Sequence, residues 1–124
     1  MPNPHYVLLY VDNPQASGDF YTGLLDRAPV ESSATFVLFV LDNGVKFGLW
    51  SRHTVEPKAI TAGGGAEIGF PVERSTVDPT FADWKRRGIA MLQQPTDMDF
   101  GRSFVGLDPD GHRLRVFALA ENPV

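Results

Sequence analysis

This sequence predicts an α+β fold built from two copies of one strand–helix–three-strand module, and three observations predict it. A hairpin is written twice: Phe36 to Leu41, the turn Asp42-Asn43-Gly44, then Val45 to Trp50; and Gly101 to Leu107, the turn Asp108-Pro109-Asp110-Gly111, then His112 to Phe117. Each turn holds a glycine able to take φ > 0, and Pro109 pre-sets φ in the second. Matching positions also keep a constant spacing. Val11 and Val72 each end an alternating stretch and are 61 apart, as are Phe20 and Phe81 on the helical stretches that follow, whereas Gly44 and Gly111 are 67 apart. The difference, 67 − 61, places six additional residues in the second half. The polar run Pro95-Thr96-Asp97-Met98-Asp99-Phe100 has the composition of a loop and is where they fit. Third, the strand-like stretches alternate with a period of two, leaving one uniformly apolar set for the helices to cover.

The elements follow in order. Tyr6 to Val11 alternates Tyr6, Leu8 and Tyr10 with Val7, Leu9 and Val11, as a strand covered on both faces does. Asp12-Asn13-Pro14 stops it. Asn13 suits a helix cap with Pro14 at the first helical position, and Phe20, Tyr21, Leu24 and Leu25 keep helical spacing until Asp26-Arg27-Ala28-Pro29. Val30 to Ser33 is a weak strand, placed at a sheet edge by Pro29, and Thr35 to Leu41 and Val45 to Ser51 form the first hairpin. Arg52 to Gly65 has no periodicity. Its Glu56-Pro57 and Gly63-Gly64-Gly65 read as a linker at about 54–65 between modules at about 5–53 and 66–119, all within one domain. The three glycines are no phosphate cradle, because such a loop opens a helix and brings a lysine, whereas the strand Ala66 to Val72 follows here. Ser75 or Thr76 is then expected to cap a second helix with Val77, Phe81 and Trp84 on one face. Lys85-Arg86-Arg87 complement its dipole and Gly88 ends it. Ala90 to Gln94 is the next strand, leading through the polar loop into the second hairpin.

Composition limits the function. At 124 residues the chain can bury roughly two thirds of its unfolded surface, but halves of about 60 residues are marginal alone and should share a core. Hydrophobic content of 43% and charged content of 21% are those of a globular protein. A net charge of −4 with no basic run beyond Lys85-Arg86-Arg87 argues against a nucleic-acid partner. The absence of cysteine removes thiol catalysis, disulfides and thiolate metal sites. No apolar run approaches ~18 residues and Met1-Pro2-Asn3-Pro4-His5 lacks a charged leader region, so no membrane partner and a cytoplasmic location are expected.

Applied to every strand, the alternation separates two faces. Val7, Leu9 and Val11, Val45, Phe47 and Leu49, Ile68, Phe70 and Val72, and Leu114 and Val116 form the helix-covered set. The opposite set mixes large aromatics, small residues and isolated charges: Tyr6, Leu8 and Tyr10; Lys46, Gly48, Trp50 and Arg52; Glu67, Gly69 and Pro71; Arg113, Arg115 and Phe117. Such a face suits a concave ligand cavity better than a dry core, because aromatics supply area and a few polar groups fix orientation.

The paired modules, with Val11-Asp12-Asn13-Pro14, Phe20-Tyr21 and Leu24-Leu25 in the first and Gln93 to Arg102 followed by Asp108-Pro109-Asp110-Gly111-His112-Arg113-Leu114 in the second, resemble the vicinal oxygen chelate superfamily. That group contains glyoxalases, extradiol dioxygenases, fosfomycin-inactivating enzymes and bleomycin-type resistance proteins, and the resemblance covers nearly the whole chain. It implies a curved mixed sheet, a half-open barrel around a cavity, and a homodimer whose modules pair within one chain or across two. Catalytic members carry metal ligands at the start of the first strand of each module and midway along the last, which on this chain are Tyr6, Gly48, Glu67 and Arg115. Glycine offers no donor and a cationic arginine repels a metal, so no metal and no cofactor are expected. His5 reaches the first ligand position only if the strand slips by one residue, which would turn Val7, Leu9 and Val11 away from the helix. His5 and Glu67 are the remaining metal candidates. His53 and His112 are expected to face solvent, and Glu67 to meet Arg115 as an ion pair that either satisfies two charges or anchors a polar group of a ligand.

The function this implies is metal-independent binding and sequestration of a small flat aromatic molecule, such as an antibiotic, as resistance-type proteins perform it. Tyr6, Tyr10, Trp50 and Phe117 would stack, Arg52, Glu67 and Arg115 would orient the ligand, Lys46 shares the face, and Gly48 leaves room beside the Trp50 indole. The alternatives are a metal-dependent lyase, isomerase or dioxygenase of the glyoxalase kind using His5 and Glu67, or a structural protein with a vestigial pocket.

Overall fold

A computed structural model describes residues 1–61 and 63–120. The chain divides into two compact units, Met1–Ala62 and Gly63–Val124. In the first, β1 (Tyr6–Val11), α1 (Pro14–Leu25), β2 (Glu31–Ser32), β3 (Phe36–Val40) and β4 (Lys46–Ser51) follow one another, and the sheet runs β1-β4-β3-β2. In the second, β5 (Glu67–Pro71), α2 (Arg74–Arg86), β6 (Ala90–Met98), β7 (Gly101–Leu107) and β8 (Arg113–Leu119) make the sheet β5-β8-β7-β6. The two orders are the same order. In each unit the first strand pairs parallel with the last and the remaining pairs are antiparallel, so the repeat read from residue spacing is a repeat of topology. Both sheets are open.

Local chemistry explains most element ends. The Asn13 side chain accepts from the backbone N–H groups of Gln15 and Ala16 at 3.1 Å each, with Pro14 opening α1. At the end of α2, Gly88 N–H donates to Lys85 O and Ile89 N–H to Trp84 O, both at 3.1 Å, which satisfies carbonyls the helix leaves unpaired. The start of α2 departs from expectation. The helix begins at Arg74, with Glu73 as an extended cap residue making no side-chain bond, so Ser75 and Thr76 lie inside the first turn. Ion pairs hold that end: Arg102 lies 2.8 Å from Asp78 and 3.1 Å from Asp97, and Arg74 lies 3.0 Å from Asp97. These bonds keep the Asp78 and Asp97 carboxyls below their ordinary range.

The run Pro95 to Phe100 is a correction. It is not a loop, because β6 continues to Met98 and pairs Thr96 with Ser103, Asp97 with Arg102 and Met98 with Gly101. Only Asp99 and Phe100 turn. The register shifts between Gln93 and Thr96, around Pro95, which has no N–H to give the ladder and is tolerated because β6 is an edge strand. Gly101 is required where this turn meets β7: its φ is 143° and a Cβ there would sit 1.9 Å from Ala118 O.

Helices cover the faces that alternation assigned to them. In the first unit, Tyr21 of α1 meets Phe47 edge-on at 4.8 Å over fully buried Val11, Phe39 and Leu49. In the second, Trp84 of α2 stands edge-on to Phe104 at 5.2 Å and to Phe70 at 5.9 Å, with Phe81 also on Phe104 and with Val77, Leu114 and Val116 buried beside them. Each fully buried large apolar side chain contributes roughly 1.5–3 kcal/mol, so these clusters fix which face of each sheet stays open.

Candidate functional site

On the open face of the first unit, β1 presents Tyr6, Leu8 and Tyr10, which remain 58%, 42% and 41% exposed. Large apolar side chains so exposed along one strand stand outside the core of this unit. Beside them lies a pocket of about 370 Å³ lined by Tyr6, Leu8, Phe36 and Trp50. Strand register builds it. Tyr6 lies opposite Lys46, Leu8 opposite Gly48, Tyr10 opposite Trp50, and Phe36 opposite Trp50 from the other side of β4. The Phe36 and Trp50 rings meet edge-on at 6.1 Å and 84°, so a fixed aromatic corner forms one wall. At the rim, Lys46 Nζ lies 5.4 Å from the centre of the Tyr6 ring and 3.4 Å from its hydroxyl.

Gly48 does not leave the open space expected of it. A Cβ there would lie 2.7 Å from Leu8 Cδ2 and 2.9 Å from Phe36 Cζ, because these side chains close over the glycine and make the pocket floor. Arg52 also lies elsewhere. It reaches Asp12 at 3.4 Å, next to His53 Nε2 at 2.7 Å from the same carboxylate oxygen, and lines a separate depression with His53, Lys58 and Ile60. The His53 bond, with Arg52 adding to it, lowers the Asp12 pKa.

In the second unit the predicted ion pair forms. Arg115 Nε and Nη2 donate to the two Glu67 carboxylate oxygens at 2.7 and 2.8 Å, Arg115 Nη1 donates to Ser103 Oγ at 2.9 Å, and Arg113 stands 4.0 Å from Glu67. The Arg115 bonds hold the Glu67 carboxyl below its ordinary range and raise the guanidinium. Phe117 meets Phe100 edge-on at 6.4 Å, and the Arg115 guanidinium lies 6.0 Å from the Phe100 ring centre. Phe100 and Phe36 were not among the expected site residues. Phe36 was legible: pairing about the turn Asp42-Asn43-Gly44 puts it opposite Trp50. Phe100 was hidden inside a stretch read as a polar loop.

The four positions where catalytic relatives carry metal ligands divide between the units, Tyr6 and Gly48 in the first, Glu67 and Arg115 in the second. They do not fit a divalent ion. Glu67, the one anionic donor, has both oxygens engaged by the guanidinium that occupies another of the four positions. His5 is exposed, with Nδ1 2.8 Å from Asn3 O, and β1 keeps the register that excludes the one-residue slip. His53 is exposed as expected, whereas His112 is half-buried behind the Asp108 turn, where its backbone N–H donates to Asp108 Oδ1 at 2.8 Å. Among the described residues, no group of three or more His, Asp or Glu side chains is placed to hold a metal, and no helix is long and apolar enough to cross a membrane.

Two open-faced βαβββ modules of one topology define a paired-module α+β protein. The chain belongs to the Glyoxalase/Bleomycin resistance protein/Dioxygenase superfamily, whose description matches residues 3–116. Over 119 residues it is 32% identical to the phenazine antibiotic resistance protein EhpR of Enterobacter agglomerans, covering 94% of this chain and 92% of that one. A protein of Agrobacterium tumefaciens with a solution NMR structure is 61% identical, with a TM-score of 0.89 over 97% of this chain and 99% of that one. A glyoxalase-related enzyme from Fulvimarina pelagi, 20% identical over 95% of this chain and 88% of its own, shares the fold with a TM-score of 0.82.

Proposed function

We propose that this protein binds and sequesters a flat aromatic small molecule of the phenazine kind, without a metal, in the pocket of the first unit. The observation that carries the reading is the pocket itself, about 370 Å³ and lined by three aromatic residues and a leucine. That volume lies in the range of small-molecule sites, and a planar ring system can lie against Trp50 while Tyr6 and Phe36 close its edges. Relation to a phenazine resistance protein supports the ligand class. The doubly engaged Glu67 supports binding without a metal ion, and the Glu67–Arg115 pair with Phe117 is the second polar and aromatic surface the chain offers.

Titration of the protein with phenazine, followed by calorimetry and tryptophan fluorescence, tests this. Trp84 is buried between α2 and its sheet, so Trp50 is the indole open to direct contact. Trp50→Ala removes a stacking partner worth ~0.5–1.5 kcal/mol beyond the area it buries, so affinity should fall by about tenfold or more once the lost area is added. Trp50 is only half-buried, so the apo protein should lose less than the ~3–5 kcal/mol of a core Trp→Ala change. Wild-type protein indifferent to every planar aromatic tried defeats the ligand reading. Near one equivalent of zinc, iron, manganese or nickel in the purified protein defeats the metal-free part.

A further inference from the structure

We propose that the aromatic ligand of this pocket is an anion, a planar ring system bearing a carboxylate or comparable acid group that Lys46 and the Tyr6 hydroxyl hold at the rim; this rests on the pocket assignment above. Charge pairing on the chain points to it. All eight arginines lie within 4.0 Å of a carboxylate. None of the three lysines has such a carboxylate among the described residues, and of them Lys46 is the one at the rim of this pocket, where its partner is Tyr6, through the ring face and the hydroxyl. Lys46 is half-buried as a residue and its ammonium stands at the water-facing rim beside Tyr6, where the pocket lining carries polar groups at the Tyr6 hydroxyl and the Trp50 indole N–H alone, Leu8 and Phe36 offering none.

The donors at this rim match an anion and nothing neutral equally well. An ammonium has three N–H donors and no acceptor. Because the Tyr6 oxygen accepts from Nζ, its own proton is directed away from Lys46 and available to a second acceptor. An ammonium and a phenolic O–H therefore stand side by side at the rim, and a carboxylate has two oxygens with which to accept from both. The aromatic body enters the apolar pocket while the acid group stays at the water-facing edge, where Tyr6 is 58% exposed, so the charge is met without being fully desolvated. Selection among planar aromatics follows, because a chain of net charge −4 repels anions in general and attracts this one through a single local cation.

Phenazine-1-carboxylate, its neutral isostere phenazine-1-carboxamide, and unsubstituted phenazine are the probes, titrated by calorimetry into wild type, Lys46→Met and Lys46→Arg, with near-ultraviolet circular dichroism showing that each variant is folded. The carboxylate should bind wild type about tenfold tighter than the carboxamide, as one charge-assisted contact predicts. Added salt should weaken the carboxylate and leave the carboxamide unchanged. Lys46→Met should bring the ratio close to one by weakening the carboxylate alone, and Lys46→Arg should retain the preference. A wild-type ratio near one, or a preference that persists in folded Lys46→Met, overturns the anion assignment while leaving the aromatic pocket standing. Failure of all three probes to bind wild type overturns the pocket assignment and this inference with it.

Discussion

Gly48→Ala separates the pocket from the fold more cleanly than any truncation. The added Cβ would lie 2.7 Å from Leu8 Cδ2 and 2.9 and 3.0 Å from Phe36 Cζ and Cε1, where ordinary contacts begin near 3.4 Å. Both neighbours must retreat by roughly half an ångström or more, and both have somewhere to go, since Leu8 is 42% exposed and Phe36 half-buried at the pocket edge. Overpacking in a closed core costs ~1–3 kcal/mol, and relief toward open space places this case near the lower end. Replacing a strand glycine that has no positive φ by alanine returns ~0.4–1 kcal/mol through the unfolded chain. Net stability should therefore change by less than about 1 kcal/mol, a shift of a few degrees in Tm. The displaced side chains move into the 370 Å³ cavity, so affinity for a planar aromatic should fall about tenfold or more. Urea unfolding and calorimetric titration on one preparation read both quantities. Unchanged affinity at unchanged stability refutes the pocket as the binding place; a loss of ~3 kcal/mol or more refutes the claim that the space above Gly48 opens outward.

Glu67→Gln tests the ion pair by pH: an ordinary Glu carboxyl titrates near 4.5 and the folded value lies lower, so the stabilisation is complete above 4.5 and lost as pH falls through the folded pKa. The wild-type advantage in urea midpoint over Glu67→Gln, held under about 1 kcal/mol by solvent screening, should be largest near neutrality and shrink on acidification; a gap independent of pH would contradict it. Gly101→Ala, which forces an L side chain to φ 143° with its Cβ 1.9 Å from Ala118 O, should lose ~3 kcal/mol or more in the same measurement, and a neutral result would show that the turn after β6 can rearrange. Light scattering should give about twice the 13.7 kDa chain mass, and a monomer at micromolar concentration would end the expectation of a homodimer.

What sequence reading recovered, and what it missed, follows from which signals are local. Alternation placed Tyr6, Lys46 and Trp50 on one face and Val11, Phe47 and Leu49 on the other, because side chains along a strand have no third direction to take. Asn13 was legible as a cap because a short acceptor before a proline has few other uses. Thr96 and Asp97 misled because their strand is held by cross-strand partners, Ser103 and Arg102, and polar residues at a sheet edge carry no hydrophobic period. Ser75 and Thr76 misled for a related reason: the start of α2 is fixed by ion pairs from Arg74 and Arg102 and by no capping oxygen. The floor over Gly48 could not be read at all, because it depends on the rotamers of Leu8 and Phe36.

The Glu67–Arg115 pair also bears on how such a chain changes by mutation. An exchangeable metal ion can be stripped by a chelator and replaced by another, whereas a guanidinium is fastened to the backbone and keeps its charge at every pH a cell experiences. At this pair the positive charge is heritable. Losing Arg115 leaves Glu67 without its bidentate partner, and losing Glu67 leaves the guanidinium without its carboxylate. Replacing the pair therefore takes two substitutions, because either one alone leaves a charge without its partner.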